Sequence, residues 1–153
     1  MTPHLARDPD DWPALLSLLH RAFKGMDGRI DPPSSLHRLT AADLAAPGHE
    51  VWVIGQPAAA CMVLTPKPGR LYLGKLAVDP TQQGRGHGRT LITQAETRAR
   101  ALGLPMLELE TRIELSENHA FFHHQGFTES VRKAHEGYNR PTSITFTKPI
   151  QFA

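Results

Sequence analysis

The sequence predicts an α/β (α+β) fold in which a mixed, mostly antiparallel sheet is flanked by helices. Short β-type runs separated by turn residues begin near residue 50 and return after residue 126, a pattern typical of antiparallel hairpins. Between them, a strand, a long amphipathic helix and another strand follow one another, and such a crossover normally gives a parallel, right-handed pair. A chain of 153 residues is long enough for one core, so we expect a single domain over residues 1–153.

The composition excludes several classes of protein. Hydrophobic residues make up 40% and charged residues 21%, with 17 Lys+Arg against 15 Asp+Glu, so neither charge-driven disorder nor a nucleic-acid-binding basic surface is indicated. No apolar run approaches the roughly 20 residues of a membrane span, and no basic leader precedes the first apolar stretch. The single cysteine, Cys61, excludes an internal disulfide framework and fits a reducing compartment, so we expect a cytoplasmic protein.

The N-terminal third predicts two helices joined by a shaped loop. Asp11 is a suitable N-cap, and apolar residues then recur at helical spacing until Gly25. Residues 26–35 contain glycine and two prolines, which cannot continue a helix, so a loop is expected there. Thr40 then caps a short helix that ends at Ala45.

Six strands are predicted in the rest of the chain. Their ranges are residues 51–54, 58–65, 71–78, 105–111, 127–135 and 142–148. In the fourth strand, Leu107 and Leu109 alternate with more polar residues, which is the period of a strand. The long helix before it covers residues 88–102, with an apolar stripe that runs to Leu102, and a short helix at residues 117–125 follows it.

The turn between the third strand and the long helix carries the most informative motif. Residues 83–88 read Gln-Gly-Arg-Gly-His-Gly, where free backbone N–H groups and the positive end of a helix favour a phosphate or pyrophosphate. Gly86 and Gly88 lack a Cβ atom, so an anion can approach the chain closely, and Arg85 and Arg89 add charged donors. Neither a dinucleotide fingerprint nor a Walker loop fits the residues that follow.

Two stretches together resemble the GNAT superfamily of acyl-CoA-dependent N-acetyltransferases. The first is the turn at residues 83–88, which reads Gln-x-x-Gly-x-Gly after the Leu-Ala-Val of residues 76–78 and resembles the coenzyme A loop of that family. The second is residues 118–127, in which an Asn opens a short helix that ends in Gly-Phe. The order of the elements also matches the family over nearly the whole chain.

The resemblance implies a fold and a reaction. The sheet would have six to seven strands, helices on both faces and a parallel strand pair that splays apart. The activity would be direct transfer of an acetyl group from acetyl-CoA to a primary amine of a small molecule or peptide, without a covalent enzyme intermediate. The whole of residues 1–153 would form one N-acetyltransferase domain, and a homodimer is one expectation because dimers are common in the family.

The resemblance also implies a coenzyme site. Backbone groups of Leu76 and Val78 would hydrogen-bond the pantetheine arm between the splayed strands, the amides of residues 84–89 would hold the pyrophosphate, and Asn118 would contact the coenzyme. The full set of implied coenzyme-binding residues is Leu76, Ala77, Val78, Gln83, Gly84, Arg85, Gly86, His87, Gly88, Arg89, Asn118 and Phe122.

A catalytic base is expected because an alkylamine with a pKa near 10.4 is protonated at pH 7, and presenting the neutral amine costs about 4.6 kcal/mol. Glu110 lies where several family members carry a carboxylate base, and Glu108 on the same face is the reserve. The alternative is that Glu110 is a salt-bridged strand carboxylate, for instance with Arg112. A backbone N–H near Val78 would polarise the thioester carbonyl.

The catalytic acid is harder to place. Many family members have a tyrosine where this chain has Phe122, which cannot donate a proton. The acid is therefore absent or supplied by His123, His119 or Tyr138, and the sequence favours none of them. Loss of the acid also makes a non-catalytic acyl-CoA-binding or sensing module the alternative function.

Two other chemistries are disfavoured. His119 and His123 have a spacing that can hold zinc, but no third ligand is evident, so no metal is expected. Cys61 lies in an apolar run and is expected to be a buried, unreactive thiol.

The acceptor stays open at this stage. Residues 26–33 and 135–141 lie where family members shape the acceptor pocket. Their carboxylates, such as Asp31, together with Glu110, would favour a cationic amine, whereas Arg29 and Arg140 would equally clamp a carboxylate.

Overall fold

Seven strands form one sheet in the order β1-β2-β3-β4-β5-β7-β6 in the computed structural model, which describes residues 2–152. The strands are β1 (His4–Leu5), β2 (Glu50–Ile54), β3 (Ala60–Lys67), β4 (Arg70–Val78), β5 (Met106–Arg112), β6 (Thr128–Lys133) and β7 (Ser143–Pro149). The helices are α1 (Asp11–Phe23), α2 (Ala41–Ala45), α3 (His87–Leu102) and α4 (Ser116–His124).

The sheet confirms the predicted fold class. Every neighbouring pair is antiparallel except β4 and β5, which are parallel and are joined through α3. The six predicted strands are present within a few residues of their expected bounds. β1 was not predicted, because two residues at the sheet edge are too short to show a strand period.

Helices cover both faces of the sheet, as expected. One core cluster packs α3 and α4 against the sheet, and the other packs α1 and α2 against the opposite face. The first contains Leu107, Leu109 and Phe146, whereas the second contains Val53 and Cys61. Alternate residues along β2 and β3 thus supply the two cores. None of the helices in residues 2–152 is long and apolar enough to cross a membrane.

The helix ends agree with the sequence at α2 and differ at α1. Thr40 accepts a hydrogen bond from the Asp43 N–H at 3.1 Å while the Asp43 carboxylate accepts one from the Thr40 N–H at 2.9 Å, a complete capping box. Asp11 is not the N-cap of α1: it is the first helical residue, and its carboxylate accepts from the Asp8 N–H at 3.1 Å. Asp10 occupies the cap position without a side-chain cap bond.

The apolar stripe of α3 also differs in one detail. Leu91, Ile92, Ala95 and Ala99 are buried against the sheet. Leu102, expected on the same stripe, is 40% exposed. It is the last residue of the helix, and Gly103 then turns the chain away with a φ of +70°.

Candidate active site

The parallel pair β4–β5 separates soon after it forms. Its paired residues are Leu71 with Leu107 and Tyr72 with Glu108, and no later residue of β4 pairs with β5 in residues 2–152. The two strands therefore splay apart, as expected, and leave a slot between them. Beyond Tyr72, the pairing of β4 within residues 2–152 is with β3, on its other edge.

A bulge in β4 accompanies the separation. Between the pairs Cys61–Ala77 and Val63–Gly74, β4 carries one residue more than β3. Within the bulge, Lys75 has a φ of +52°, a left-handed conformation that costs a residue with a side chain on the order of 1 kcal/mol. The surrounding sheet must hold this strained conformation, so the bend of β4 is built into the fold.

The backbone of β4 beyond the bulge faces the slot. The Asp79 N–H donates to the Ala59 carbonyl at 2.7 Å, on the β3 side. Because successive residues of a strand direct their N–H and C=O groups to opposite edges, Ala77 also faces β3. Leu76 and Val78 consequently direct theirs towards the slot, where β5 has moved away.

The loop after β4 leaves a row of amides without partners. Upstream, the Asp79 carboxylate accepts from the Thr81 N–H at 2.9 Å and its carbonyl accepts from the Gln82 N–H at 2.8 Å. From residue 83 to residue 89, no backbone N–H donates to an acceptor in the part of the chain that the structure describes. The first helical bond is donated by Thr90 to the Gly86 carbonyl. The positive end of α3 therefore begins with unsatisfied donors.

The glycines of this loop serve different purposes. Gly84 and Gly86 have φ near +80°, a conformation that favours glycine, and a Cβ at Gly86 would meet nothing within 4 Å. Gly88 has another reason: a Cβ there would lie 3.1 Å from Cζ of Phe121 on α4. The sequence predicts close approach of an anion at Gly88 but not this contact between α3 and α4, because Phe121 approaches from another helix.

Charged and polar side chains also surround the loop. Arg85 and Arg89 are exposed and form no ion pair within residues 2–152. His87 Nε2 is buried and has no hydrogen-bond partner there. The guanidinium groups of Arg85 and Arg89 are thus available to an anionic ligand on the loop.

A cleft of about 810 Å³ opens at the split between β4 and β5. Its walls come from the α1–α2 connection, β4, β5, the start of α4 and the β6–β7 connection. The predicted site residues that line it are Leu76, Glu110, Asn118, Phe122 and Tyr138. Ala77 is buried in the core, and neither Val78 nor any of residues 83–89 is among the residues that line the cleft.

Glu110 lies in the cleft on β5, with its side chain 36% exposed. Its Oε1 is 3.3 Å from Nζ of Lys133, so the partner suggested from the sequence, Arg112, is wrong. Arg112 instead donates to the carbonyls of Pro32 and Pro33. An ion pair between two exposed groups contributes only about 0–1 kcal/mol, so Lys133 can be displaced from Glu110 at little cost.

The reserve base lies apart from the cleft. Glu108 accepts a hydrogen bond from Nε of Arg70 at 3.1 Å and is not among the cleft residues. Asn118 does line the cleft, and its amide donates to Oγ1 of Thr111 at 3.3 Å.

The candidate acids differ in position. Tyr138 lines the cleft and donates to Oδ1 of Asp31 at 2.6 Å, which raises the pKa of the phenol. His119 contacts the Arg112 carbonyl through Nε2 at 2.9 Å. His123 lies outside the cleft and packs edge-on against Phe146. Residues 2–152 contain no group of three or more His, Cys, Asp or Glu side chains that could hold a metal ion.

Sequence reasoning missed Tyr72 at the base of the split. Its half-buried ring lines the cleft, and burial, followed by the charges of Glu110 and Glu108, raises the pKa of the phenol to about 12. The phenol therefore stays protonated at neutral pH. Nothing in the strand pattern distinguishes this tyrosine from an ordinary β-sheet residue.

The loops that wall the cleft are tied together through Asp31. Its carboxylate accepts from Tyr138 and, at 3.2 Å, from Arg140, while its N–H donates to Glu114 Oε2 at 3.0 Å. A further pair joins Arg29 to Glu117 at 2.6 Å. The α1–α2 connection is thereby held to both the β5–α4 turn and the β6–β7 connection.

Known proteins share both the sequence pattern and the fold. Residues 12–127 match the sequence model of the acetyltransferase (GNAT) family. The mycothiol acetyltransferase of Beutenbergia cavernae is 39% identical over 69 residues, which are 45% of this chain and only 23% of that relative. The chain thus spans about a quarter of that relative's length in the match.

Solved structures resemble the chain over almost its full length. The ribosomal-protein-S18-alanine N-acetyltransferase of Escherichia coli superposes with a TM-score of 0.74 at 22% identity, covering 99% of this chain and 96% of that one. The PaiA N-acetyltransferase of Thermoplasma acidophilum, solved with coenzyme A, gives 0.77 at 14% identity, covering 97% and 99%. At these identities the likeness shows the fold.

The family match agrees with the geometry: a parallel pair that splays, a cleft at the split, and a glycine turn with free amides at a helix start. The chain therefore belongs to the acetyltransferase (GNAT) family, whose members are acyltransferases that use acetyl-CoA.

Proposed function

We propose that the protein transfers an acetyl group from acetyl-CoA directly to a primary amine of a small molecule or peptide, and that residues 1–153 form one such domain. The observation that carries the proposal is the separation of β4 from β5, which opens the cleft that contains Leu76 and Glu110, together with the free amides of residues 83–89 in the loop that follows β4. A single buried thiol would suit the reducing cytoplasm.

The residues present fit coenzyme A. Free amides at the start of α3, supplemented by Arg85 and Arg89, suit a pyrophosphate. The slot-facing backbone groups of Leu76 and Val78 suit the amides of the pantetheine arm, and Asn118, which lines the cleft from α4, would contact the coenzyme. When bound, acetyl-CoA would supply the acetyl group as a thioester.

Glu110 is the proposed base. It is the carboxylate of β5 that lies in the cleft, and its partner Lys133 is exposed and displaceable. It would take the proton from the acceptor ammonium, directly or through a water molecule. The slot-facing N–H groups of β4 near Val78 would stabilise the negative charge that develops on the carbonyl oxygen.

The acid step would place little demand on the protein. A thiol with a pKa near 8.5 leaves as a moderately stable thiolate, so late protonation by solvent is adequate. Tyr138 is the proposed acid within the cleft, although its hydroxyl donates a hydrogen bond to the Asp31 carboxylate. His123 lies outside the cleft, and the proposed mechanism does not use it.

Phe122 favours a second candidate function. It is 8% exposed, lines the cleft and cannot exchange a proton, which would suit a module that binds acyl-CoA without turnover. The two functions differ in whether thiol is released.

The test combines binding and turnover. Acetyl-CoA affinity is measured by calorimetry, and thiol release is followed over a panel of primary amines and amino acids. The proposal expects micromolar binding together with acceptor-dependent thiol release. Binding without release on any acceptor would favour the sensing module, and absence of binding would exclude both.

A further inference from the structure

Two cations of the cleft form no ion pair with the described residues. Arg38, from the α1–α2 connection, and Lys75, from the bulge of β4, both line the cleft. Within the described residues 2–152, neither forms an ion pair or a side-chain hydrogen bond. Cations in a cleft next to a reaction centre are a means of binding an anionic group.

The arginines that the sequence suggested for this purpose are occupied. Arg29 pairs with Glu117 through two hydrogen bonds of 2.6 and 3.0 Å, and Arg140 pairs with Asp31. Arg112 lines the cleft, but its guanidinium donates to two backbone carbonyls of the α1–α2 connection. Among the described residues, Arg38 and Lys75 are therefore the cleft cations whose donors are free for a ligand.

Lys75 occupies a position that the fold maintains against strain. Lys75 lies in the bulge with a φ of +52°, and the next residue, Leu76, faces the slot. Asp43 on α2 is near enough for Lys75 to contribute, as the smallest cause, to its lowered pKa. The Asp43 carboxylate, however, is used by the Thr40 N–H in the capping box and makes no contact pair with Lys75.

The cleft also contains anionic and neutral titratable groups. Glu110 and Glu136 are its carboxylates, and Glu110 is already paired with Lys133. Of its histidines, His37 contacts Asp27 at 3.2 Å, and His135 contacts Thr142. Glu136 forms no ion pair within residues 2–152, so the charges of the cleft that lack a partner are Arg38 and Lys75 against Glu136. This excess of positive charge disfavours a purely cationic amine.

We propose that the acceptor carries an anionic group, a carboxylate or a phosphate, in addition to its amine. Arg38 and Lys75 bind the anionic group while the amine lies at Glu110. This inference rests on the proposed function and narrows its substrate class from primary amines in general to zwitterionic small molecules.

The test uses matched acceptors. Amino acids are compared with the corresponding decarboxylated amines and carboxamides, and aminoalkyl phosphates with the corresponding amino alcohols. The anionic member of a pair should be preferred by about tenfold or more in kcat/KM, the effect of one charge-assisted contact. Preference for the phosphates identifies phosphate as the group, and preference for the amino acids identifies carboxylate.

Substitutions then locate the contact. R38Q and K75Q should each raise KM for the anionic acceptor about tenfold, leave KM for acetyl-CoA unchanged, and reduce the preference over the neutral analogue. R7Q is the matched control for R38Q, because Arg7, like Arg38, is exposed and unpaired in residues 2–152 but lies away from this cleft. It should change neither KM.

The inference and the proposed function fail differently. Equal use of anionic and neutral acceptors, unaffected by R38Q and K75Q, would overturn the inference and leave acetyl transfer intact. Failure of the unsubstituted protein to bind acetyl-CoA would overturn the proposed function itself. Calorimetric titration of the same acceptors in the presence of coenzyme A provides a readout that does not need turnover, and absence of an R38Q effect there would also overturn the inference.

Discussion

Glu110 and Glu108 are two carboxylates on one strand with different surroundings. Glu110 faces the cleft and pairs with the exposed Lys133, whereas Glu108 pairs with Arg70 outside the cleft. This contrast provides an internal control for the proposed base.

E110Q should lower kcat/KM about 100-fold near neutral pH, the lower end of what general-base catalysis contributes. The loss should shrink as pH rises, because a growing fraction of the amine is then unprotonated without help. E108Q should retain most of the activity. Equal pH–rate profiles for E110Q and the parent protein, or a loss of kcat/KM in E108Q alone, would show that Glu110 is not the base.

Gly88 supports a contact between two helices as well as the loop. A valine side chain in place of Gly88 would press on Phe121, since a Cβ at this position is already 3.1 Å from Cζ of the ring. G88V should therefore lower the free energy of unfolding by about 1–3 kcal/mol, as overpacking usually does. Urea denaturation of G88V, F121A and the double variant measures the coupling, and strict additivity would show that the ring is not responsible.

The buried thiol of Cys61 gives a prediction about pH. Burial raises its pKa from 9.0 to about 12, so the folded protein keeps the proton when the unfolded chain ionises. This contribution to stability is fully present below about pH 9 and is lost as pH rises towards about 12. A thiol reagent at pH 8 should modify Cys61 only after denaturant is added, and rapid modification of the native protein would contradict its burial.

At the scale of elements, the sequence predicts the features that depend on residues close together in the chain. The cap at Thr40 was predictable because the Thr and its partner Asp43 are three residues apart. The role of Gly88 was not, because Phe121 approaches it from another helix. The pairings of Arg29 and Arg140 were likewise hidden, since their partners lie 88 and 109 residues away.

The connections around Asp31 should matter for the acceptor rather than the coenzyme. D31A removes the contacts from Tyr138 and Arg140, so the walls of the cleft should loosen. We expect KM for the acceptor to rise about three- to tenfold, in line with the modest strength of exposed charge contacts, with KM for acetyl-CoA unchanged. E129Q breaks an exposed pair on β6 and serves as the control. A rise confined to acetyl-CoA would contradict the assignment of these loops.

At the scale of the whole molecule, a crossover through α3 makes two strands parallel, and the bulge at Lys75 turns one of them away. The crossover was readable from the strand–helix–strand order. The bulge was not, because a lysine in the left-handed region leaves no local sequence signature. The loop with the free amides at the start of α3 follows the separated end of β4 along the chain, and this connection links the fold to acetyl transfer.

The most direct test of that link is acetyl-CoA binding by G86E, measured by calorimetry. The added carboxylate would lie among the free amides and oppose the pyrophosphate. G69E, in the β3–β4 turn, is the matched control, because Gly69 also has a positive φ, +74° against +81°, and open space around a Cβ. We predict that G86E loses acetyl-CoA binding while G69E retains it, with similar unfolding curves. Equal affinity in the two variants would contradict the placement of the coenzyme at residues 83–89.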